Sequence, residues 1–224
     1  STAPFYNVLV HNGTTATLQD SLTVLGDLTI ETSAELDAAG NGVAIGGDFD
    51  VKDGGIYIHG TNTTNFIGDQ TSNIWVRNTS NAGELTFNNL KISKEQRYDP
   101  TLYHSVDVQS GGSRTVTDHP LEIQGNLNIE RGEFDVNEWE VDLKGDLQIT
   151  DGNILYGAST GYIVMNNASS AQNIIGTTGG SQNYGNLEFA NNNGITLVNN
   201  VDAHDVRLND GVVDLDIYNL DISG

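Results

Sequence analysis

The chain has 224 residues, 37% of them apolar, with 26 glycines, no cysteine, and 30 acidic against 9 basic side chains for a net charge of −21. The lack of cysteine excludes disulfides, thiolate metal sites and cysteine nucleophiles, and the excess negative charge repels nucleic acid and anionic membranes. No apolar run approaches the ~20 residues of a membrane-spanning helix, so neither nucleic-acid binding nor membrane insertion by a helix is expected.

Apolar/polar alternation, the mark of half-buried strands, begins at Phe5-Tyr6-Asn7-Val8-Leu9-Val10 and stops at a His11-Asn12-Gly13-Thr14 turn. Leu22-Thr23-Val24 leads into Gly26-Asp27-Leu28-Thr29-Ile30; Glu35-Leu36-Asp37, Val43-Ala44-Ile45 and Gly47-Asp48-Phe49-Asp50-Val51 follow. Gly55-Ile56-Tyr57-Ile58 and Asn73-Ile74-Trp75-Val76 are further strands, and Phe87-Asn88-Asn89-Leu90-Lys91-Ile92 restates the first. From Lys94 to Arg114 the alternation breaks. That interval holds Pro100, Tyr98, Tyr103 and His104 together with three of the nine basic residues, Lys94, Arg97 and Arg114.

The stretch Leu121 to Ile149 states the pattern most cleanly, with Gly125-Asn126-Leu127-Asn128-Ile129 and, twenty residues on, Gly145-Asp146-Leu147-Gln148-Ile149. Gly26 matches Gly125, Glu35-Leu36-Asp37 matches Glu133-Phe134-Asp135, and Gly47 matches Gly145, at offsets of 99 and then 98. Asn173-Ile174-Ile175 answers Asn73-Ile74-Trp75, and Tyr184 to Phe189 opens a third copy. Gly211 to Gly224 restates Gly132 to Gly145 at an offset of 79, pairing Asp135 with Asp214. The chain therefore reads as one continuous repeat array over 1–224, in copies of about 4–83, 84–181 and 182–224, the last truncated, with an insertion at 94–114. It begins and ends inside a repeat, as a piece of something longer would.

Related Asn/Asp positions fall at 7, 27 and 48, at 126 and 146, and at 186 and 205, intervals of 20, 21, 20 and 19. A coil of two or three short strands uses that many residues, so the expected fold is all-β: a parallel β-solenoid (β-helix) built from coils of about 20 residues. Leu28, Ile30, Phe49, Val51, Leu127, Ile129, Leu147 and Ile149 are its expected inward columns. The alternative is a row of tandem β-sandwich repeats. The shorter steps from Asn73 to Asn89 and from Asn173 to Asn186 fit no uniform coil. For the recurrent Gly-Asx pair the reading is a corner, Gly supplying positive φ and Asx bonding backbone or stacking as an amide ladder. Asp27 above Asp48 would repel by roughly 0.9 kcal/mol even in water, so solvent, an intervening residue or a cation is required between them.

That requirement makes Asp27, Asp48, Asp50 and Asp53 the candidate metal ligands, with calcium the candidate ion; Asp214 and Asp216 repeat the theme. No EF-hand loop or nonapeptide calcium array accompanies them. Glu130, Arg131, Glu133 and Asp135 cluster in sequence, but alternation sends neighbours to opposite faces. No catalytic residue is assigned and no enzyme is expected. His11, His59, His104, His119 and His204 are scattered without metal-ligand spacing. Trp75 and Trp139 read as packing or as sugar-stacking platforms. The candidate ligand-binding residues are Arg97, Tyr98, Tyr103 and His104, in the interval that departs from the repeat.

The succession carried by Phe87 to Ile92, Gly125 to Ile149, Asn173 to Gly176, Tyr184 to Phe189 and Gly211 to Gly224 resembles the β repeats of very large secreted and cell-surface adhesin-like proteins of Bacteroidota. The resemblance implies an extracellular or cell-surface location, export by the type IX secretion machinery, and a structural or adhesive role as a rigid stalk or surface-binding module. Polysaccharide or another cell-surface ligand is the partner it implies. Asp20-Ser21-Leu22 also resembles the O-glycosylation motif of that phylum. The alternative function is a polysaccharide-binding or polysaccharide-cleaving β-helix.

Overall fold

The computed structural model describes residues 3–76, 85–95, 104–110, 121–155, 160–177 and 182–223. Among them there is no helix, and every strand pair is parallel. Sandwiches are built from antiparallel sheets, so the alternative of tandem sandwich repeats does not describe this chain.

The strands are short and come in threes. The first nine are β1 (Val8–Val10), β2 (Thr15–Thr17), β3 (Leu22–Val24), β4 (Leu28–Ile30), β5 (Glu35–Asp37), β6 (Val43–Ile45), β7 (Phe49–Val51), β8 (Ile56–Ile58) and β9 (Thr63–Gly68). There follow β10 (Ser72–Val76), β11 (Leu85–Phe87), β12 (Asn89–Lys94), β13 (Ser105–Ser110), β14 (Leu121–Ile123) and β15 (Leu127–Asp135). Next are β16 (Glu140–Leu143), β17 (Leu147–Ile149), β18 (Gly152–Leu155), β19 (Tyr162–Met165) and β20 (Gln172–Ile175). The last are β21 (Asn186–Leu197), β22 (Val201–Ala203), β23 (Asp205–Asp214) and β24 (Leu220–Ile222).

Pairing sorts them into three stacks, visited in a fixed order. The first stack runs β1, β4, β7, β10, β13, the second limb of β15, and β18. It continues through Asn183, β22 and β24. The second holds β2, β5 and β8, a separate three-stranded sheet, and then, without a pairing from β8 to β11, β11, β14, β16, β19 and the first limbs of β21 and β23. The third holds β3, β6, β9, β12, the first limb of β15, β17, β20 and the second limbs of β21 and β23. One circuit is one strand from each. Most of the strands join a single 19-stranded sheet because β15, β21 and β23 each bend from one stack into the next. Gly132, Gly194 and Gly211 sit at those bends with φ of 113°, 98° and 90°, values that favour glycine.

The interior is apolar along every stack. Leu28, Phe49, Ile74 and Val108 stand one above another with no exposure, as do Val24, Ile45, Phe66, Ile92, Ile129 and Ile149. Parallel rungs lie about 4.8 Å apart, so each column is continuous apolar contact. Phe49, Tyr57 and Phe87 meet inside with ring centroids 5.1 to 6.0 Å apart, joining β8 to β11.

Of the recurrent Gly-Asx corners, Gly185 before Asn186 has the expected positive φ, 61°, but four others have a different cause. Gly26, Gly47, Gly125 and Gly145 are absent from the positive-φ residues. A Cβ on Gly26 would instead collide with Asn7 Oδ1 of the rung below, and one on Gly47 with Asp27 Oδ1. The Asx oxygen reaches to the next rung and accepts its backbone N–H: Asn7 from Asp27 (2.8 Å), Asp27 from Asp48 (2.9 Å), Asp48 from Asn73 (2.8 Å). Asn89, Asn126 and Asp146 do the same for Asn126 (2.9 Å), Asp146 (2.9 Å) and Asn173 (2.8 Å). The amide between Asp27 and Asp48 is the intervening group that their stacking required.

These two ladders occupy different corners. Asn7, Asp27, Asp48 and Asn73 stand just before or at the start of first-stack strands, Asn89, Asn126, Asp146 and Asn173 of third-stack strands, and Asn186 and Asp205 of second-stack strands. The residues matched between copies are thus equivalent in sequence but stand in different columns: Leu28 stacks on Phe49, whereas Leu127 stacks on Leu90 and Leu147. Eleven strands precede β12, three full circuits and two strands more, so each copy starts two stacks further round. The short steps from Asn73 to Asn89 and from Asn173 to Asn186 are these two-strand remainders. Part of the interval read as an insertion is also regular: β13 is a first-stack rung between β10 and β15.

Gly145→Ala would drive a methyl group into the Gly125 carbonyl and Asn126 Oδ1, whereas a Cβ on Gly42 finds its nearest neighbour, Ser21 Oγ, at 3.6 Å. Urea unfolding should show Gly145→Ala destabilised by about 1–3 kcal/mol and Gly42→Ala unchanged within about 0.5 kcal/mol.

Candidate functional site

The acidic residues singled out as metal ligands are used by the backbone and by neighbouring side chains. Asp48 Oδ1 accepts from the Asn73 amide group as well (3.0 Å), and its Oδ2 accepts from Trp75 Nε1 (3.1 Å). Asp50 is buried and ion-paired with Lys52. Asp53 follows in the turn before β8, half-buried. Among the described residues no three His, Cys, Asp or Glu side chains come together around a common point. The recurrent Asp37, Asp135 and Asp214 all brace a turn, each Oδ1 accepting the N–H two residues on, from Ala39 (2.7 Å), Asn137 (2.8 Å) and Asp216 (3.0 Å). Those three donor residues have φ near +50°, so the carboxylate holds a turn that the backbone otherwise resists.

Of the candidate ligand-binding residues, Arg97, Tyr98 and Tyr103 lie outside the described residues, as does His119. His104 is half-buried and its carbonyl accepts from Glu133 N–H (3.2 Å), as a rung residue does. Glu130 and Arg131 both face outward, because the register slips at Ile92/Ser93 and breaks the alternation that was expected to separate them. Glu130 is held by Lys91 (2.6 Å) and Ser93 (3.2 Å), and the Lys91 hydrogen bond keeps its carboxyl below the usual range. Trp139 is buried, and Trp75 is half-buried on a different stack, so the two form no common platform.

Lys94 belongs neither to a loop nor to a surface. It ends β12 with no exposure, and its Nζ donates to Ser72 Oγ (2.6 Å), Ile67 O (2.7 Å) and Gly46 O (2.9 Å), which uses all three ammonium protons. Burial pulls its pKa down to about 8. Five residues after Asn186, as Lys94 is five after Asn89, buried Asn191 donates to Gln172 Oε1 (2.9 Å). Gln172 Nε2 donates in turn to Leu143 O (2.8 Å) and Gly145 O (2.6 Å). Each junction between copies is therefore closed by buried polar side chains that donate to carbonyls there.

The outward face of the second stack carries the densest polar constellation described. Glu140 pairs in register with Tyr162, and Asn186 with Asp205, on successive rungs. Arg207 lays its guanidinium 3.6 Å above the Tyr162 ring centroid and reaches Glu140 Oε1 (3.3 Å) and Glu188 Oε2 (3.6 Å). The Tyr162 hydroxyl donates to Asp205 Oδ2. That bond holds the Asp205 carboxyl below its ordinary pKa, while burial and the same carboxylate push the Tyr162 phenol up. His204 Nδ1 lies 3.1 Å from Asn186 Oδ1. With Thr160 and Ile222, all of these except Glu140 and Glu188 line an open concavity of about 480 Å³. The sequence reading did not single out this set. Its members stand on the successive rungs β16, β19, β21 and β23, and only the register brings them together.

No protein-family model, no curated protein and no solved structure matches this chain.

The folded Lys94 ammonium, at about 8, loses its proton before the unfolded one at 10.5. Between those values the unfolded state binds more protons, so stability rises with pH and the penalty of burying the charge is fully present below about pH 8. In Lys94→Met that penalty is gone. Measured by urea unfolding from pH 7.5 to pH 10, wild type should gain roughly 2–3 kcal/mol relative to Lys94→Met; parallel pH profiles would contradict the burial of the ammonium.

Proposed function

We propose that this chain is a segment of a parallel β-solenoid that serves as a rigid stalk of an extracellular or cell-surface repeat protein. The supporting observation is the parallel pairing of the strands in three stacks, with an apolar core and Asx ladders at the corners. A chain whose rungs contact only their neighbours grows along one axis, which is what a spacer needs. The recurrent acidic residues support the same reading, because their oxygens hold turns and rungs and leave the excess charge as a solvating surface. The resemblance to adhesin-like repeats of Bacteroidota carries the location and the type IX export route.

A second reading, a surface-binding module for polysaccharide, is favoured by one observation, the concavity at Tyr162 and Arg207. The carboxylate in its lining, Asp205, is held below its ordinary pKa by the Tyr162 hydrogen bond, whereas glycoside cleavage requires a carboxyl kept protonated. Binding suits the site better than cleavage.

The stalk reading sets the growth per copy. Eleven strands shared among three stacks at about 4.8 Å per rung give a rise of about 18 Å. A duplicate of residues 84–181 inserted after position 181 should lengthen the particle by that amount in electron micrographs without changing its width. A second bead, or a wider particle, would overturn the reading.

A further inference from the structure

The outer face of the second stack has chemistry that the fold does not need. A spacer surface requires charge, not an arginine pinned on a tyrosine. Arg207 nevertheless lies flat on Tyr162, fixed by Glu140 and Glu188 on rungs below it, while Asp205 fixes the Tyr162 hydroxyl. All of these side chains stand on strands, so the constellation is held before any ligand arrives, which lowers the cost of binding. One wall of the concavity is apolar, formed by Ile222, which is 56% exposed.

We propose that this concavity binds a neutral glycan, a reading that rests on the surface-binding role above. The lining has one carboxylate, Asp205, and one guanidinium, Arg207, whose charge is already met by Glu140 and Glu188 beside it, so three carboxylates surround one cation; carboxylates only accept hydrogen bonds. A ligand must therefore supply donors, and the excess negative charge turns away uronates, sulfates and phosphates. The guanidinium turns away cations, and no three metal-ligating side chains converge among the described residues. Sugar hydroxyls both donate, to the Asp205 carboxylate, and accept, from the N–H groups of Arg207, which is half exposed. The guanidinium plane and Ile222 offer the C–H face of a pyranose a flat surface, and a volume of about 480 Å³ lies within the range of small-ligand sites.

Native gel electrophoresis of the full chain through neutral glucan, mannan and xylan, with polygalacturonate as the charged control, tests the inference. Retardation is expected in at least one neutral gel, reduced tenfold or more in apparent affinity by Arg207→Ala and by the near-isosteric Asp205→Asn, with thermal melting confirming that both variants fold. Retardation that survives both substitutions would overturn this site while leaving the surface-binding role in place. Retardation by polygalacturonate alone would overturn the neutral class. Passage through every gel without retardation would overturn both the site and that role, and would leave the stalk standing alone.

Discussion

The hydrogen bond from an Asx side-chain oxygen to the backbone amide of the next rung is the constraint on which the rest depends. Inter-strand bonds alone would let parallel strands of three residues slip. An oxygen reaching up from Asn7, Asp27, Asp48, Asn89, Asn126 or Asp146 to a single N–H fixes which residue stands above which. Each bond contributes about 1 kcal/mol, more where the acceptor is a carboxylate. The register then sets everything else: a slip of one residue would turn the interior Leu and Ile columns to solvent. The glycine before Asp27, Asp48, Asn126 and Asp146 leaves room for the oxygen of the rung below, so the recurrent pair is a single device.

The ladder also explains the phase of the copies. Because a copy is three circuits and two strands, its Asx corner moves from the entry of the first stack to that of the third and then of the second. Where one ladder ends and the next begins, the rung lengthens, from Asp48 to Asn73 and from Asp146 to Asn173, and buried side chains donate to carbonyls there. Lys94 with Ser72 satisfies one such set, and Asn191 with Gln172 the other. The same problem is solved twice by different chemistry at equivalent positions. The charged solution carries a desolvation cost that the neutral one avoids.

Alternation and the interval near 20 residues were enough to place strands, parallel stacking and the inward residues Leu28, Phe49, Leu127 and Leu147. The recurrence of Asp135 and Asp146 likewise identified them as turn and ladder residues. The phase shift was visible only as two anomalously short steps, because a sequence match says that residues are equivalent in their copy, not that they share a column. Lys94 looked like part of an insertion because a lysine in an alternating run reads as surface. Only the carbonyls of Gly46 and Ile67, far off in sequence, make it an interior residue. The concavity at Tyr162 and Arg207 was hidden for the same reason: Glu140, Tyr162, Glu188 and Arg207 converge through register, which spacing alone does not specify.

Since the chain contains no cysteine, paired substitutions can read that register directly. Asn65 and Lys91 are in register on neighbouring rungs of the third stack, whereas Trp75 belongs to the first. If copies shifted by no stack at all, β12 would lie on β10 and Lys91 would sit beside Trp75. Neighbouring positions on parallel rungs are close enough to form a disulfide. Oxidation of Asn65→Cys/Lys91→Cys should cross-link the chain, and Trp75→Cys/Lys91→Cys should stay reduced. Cross-linking of the second pair but not the first would contradict the two-strand shift that sets the phase of the copies.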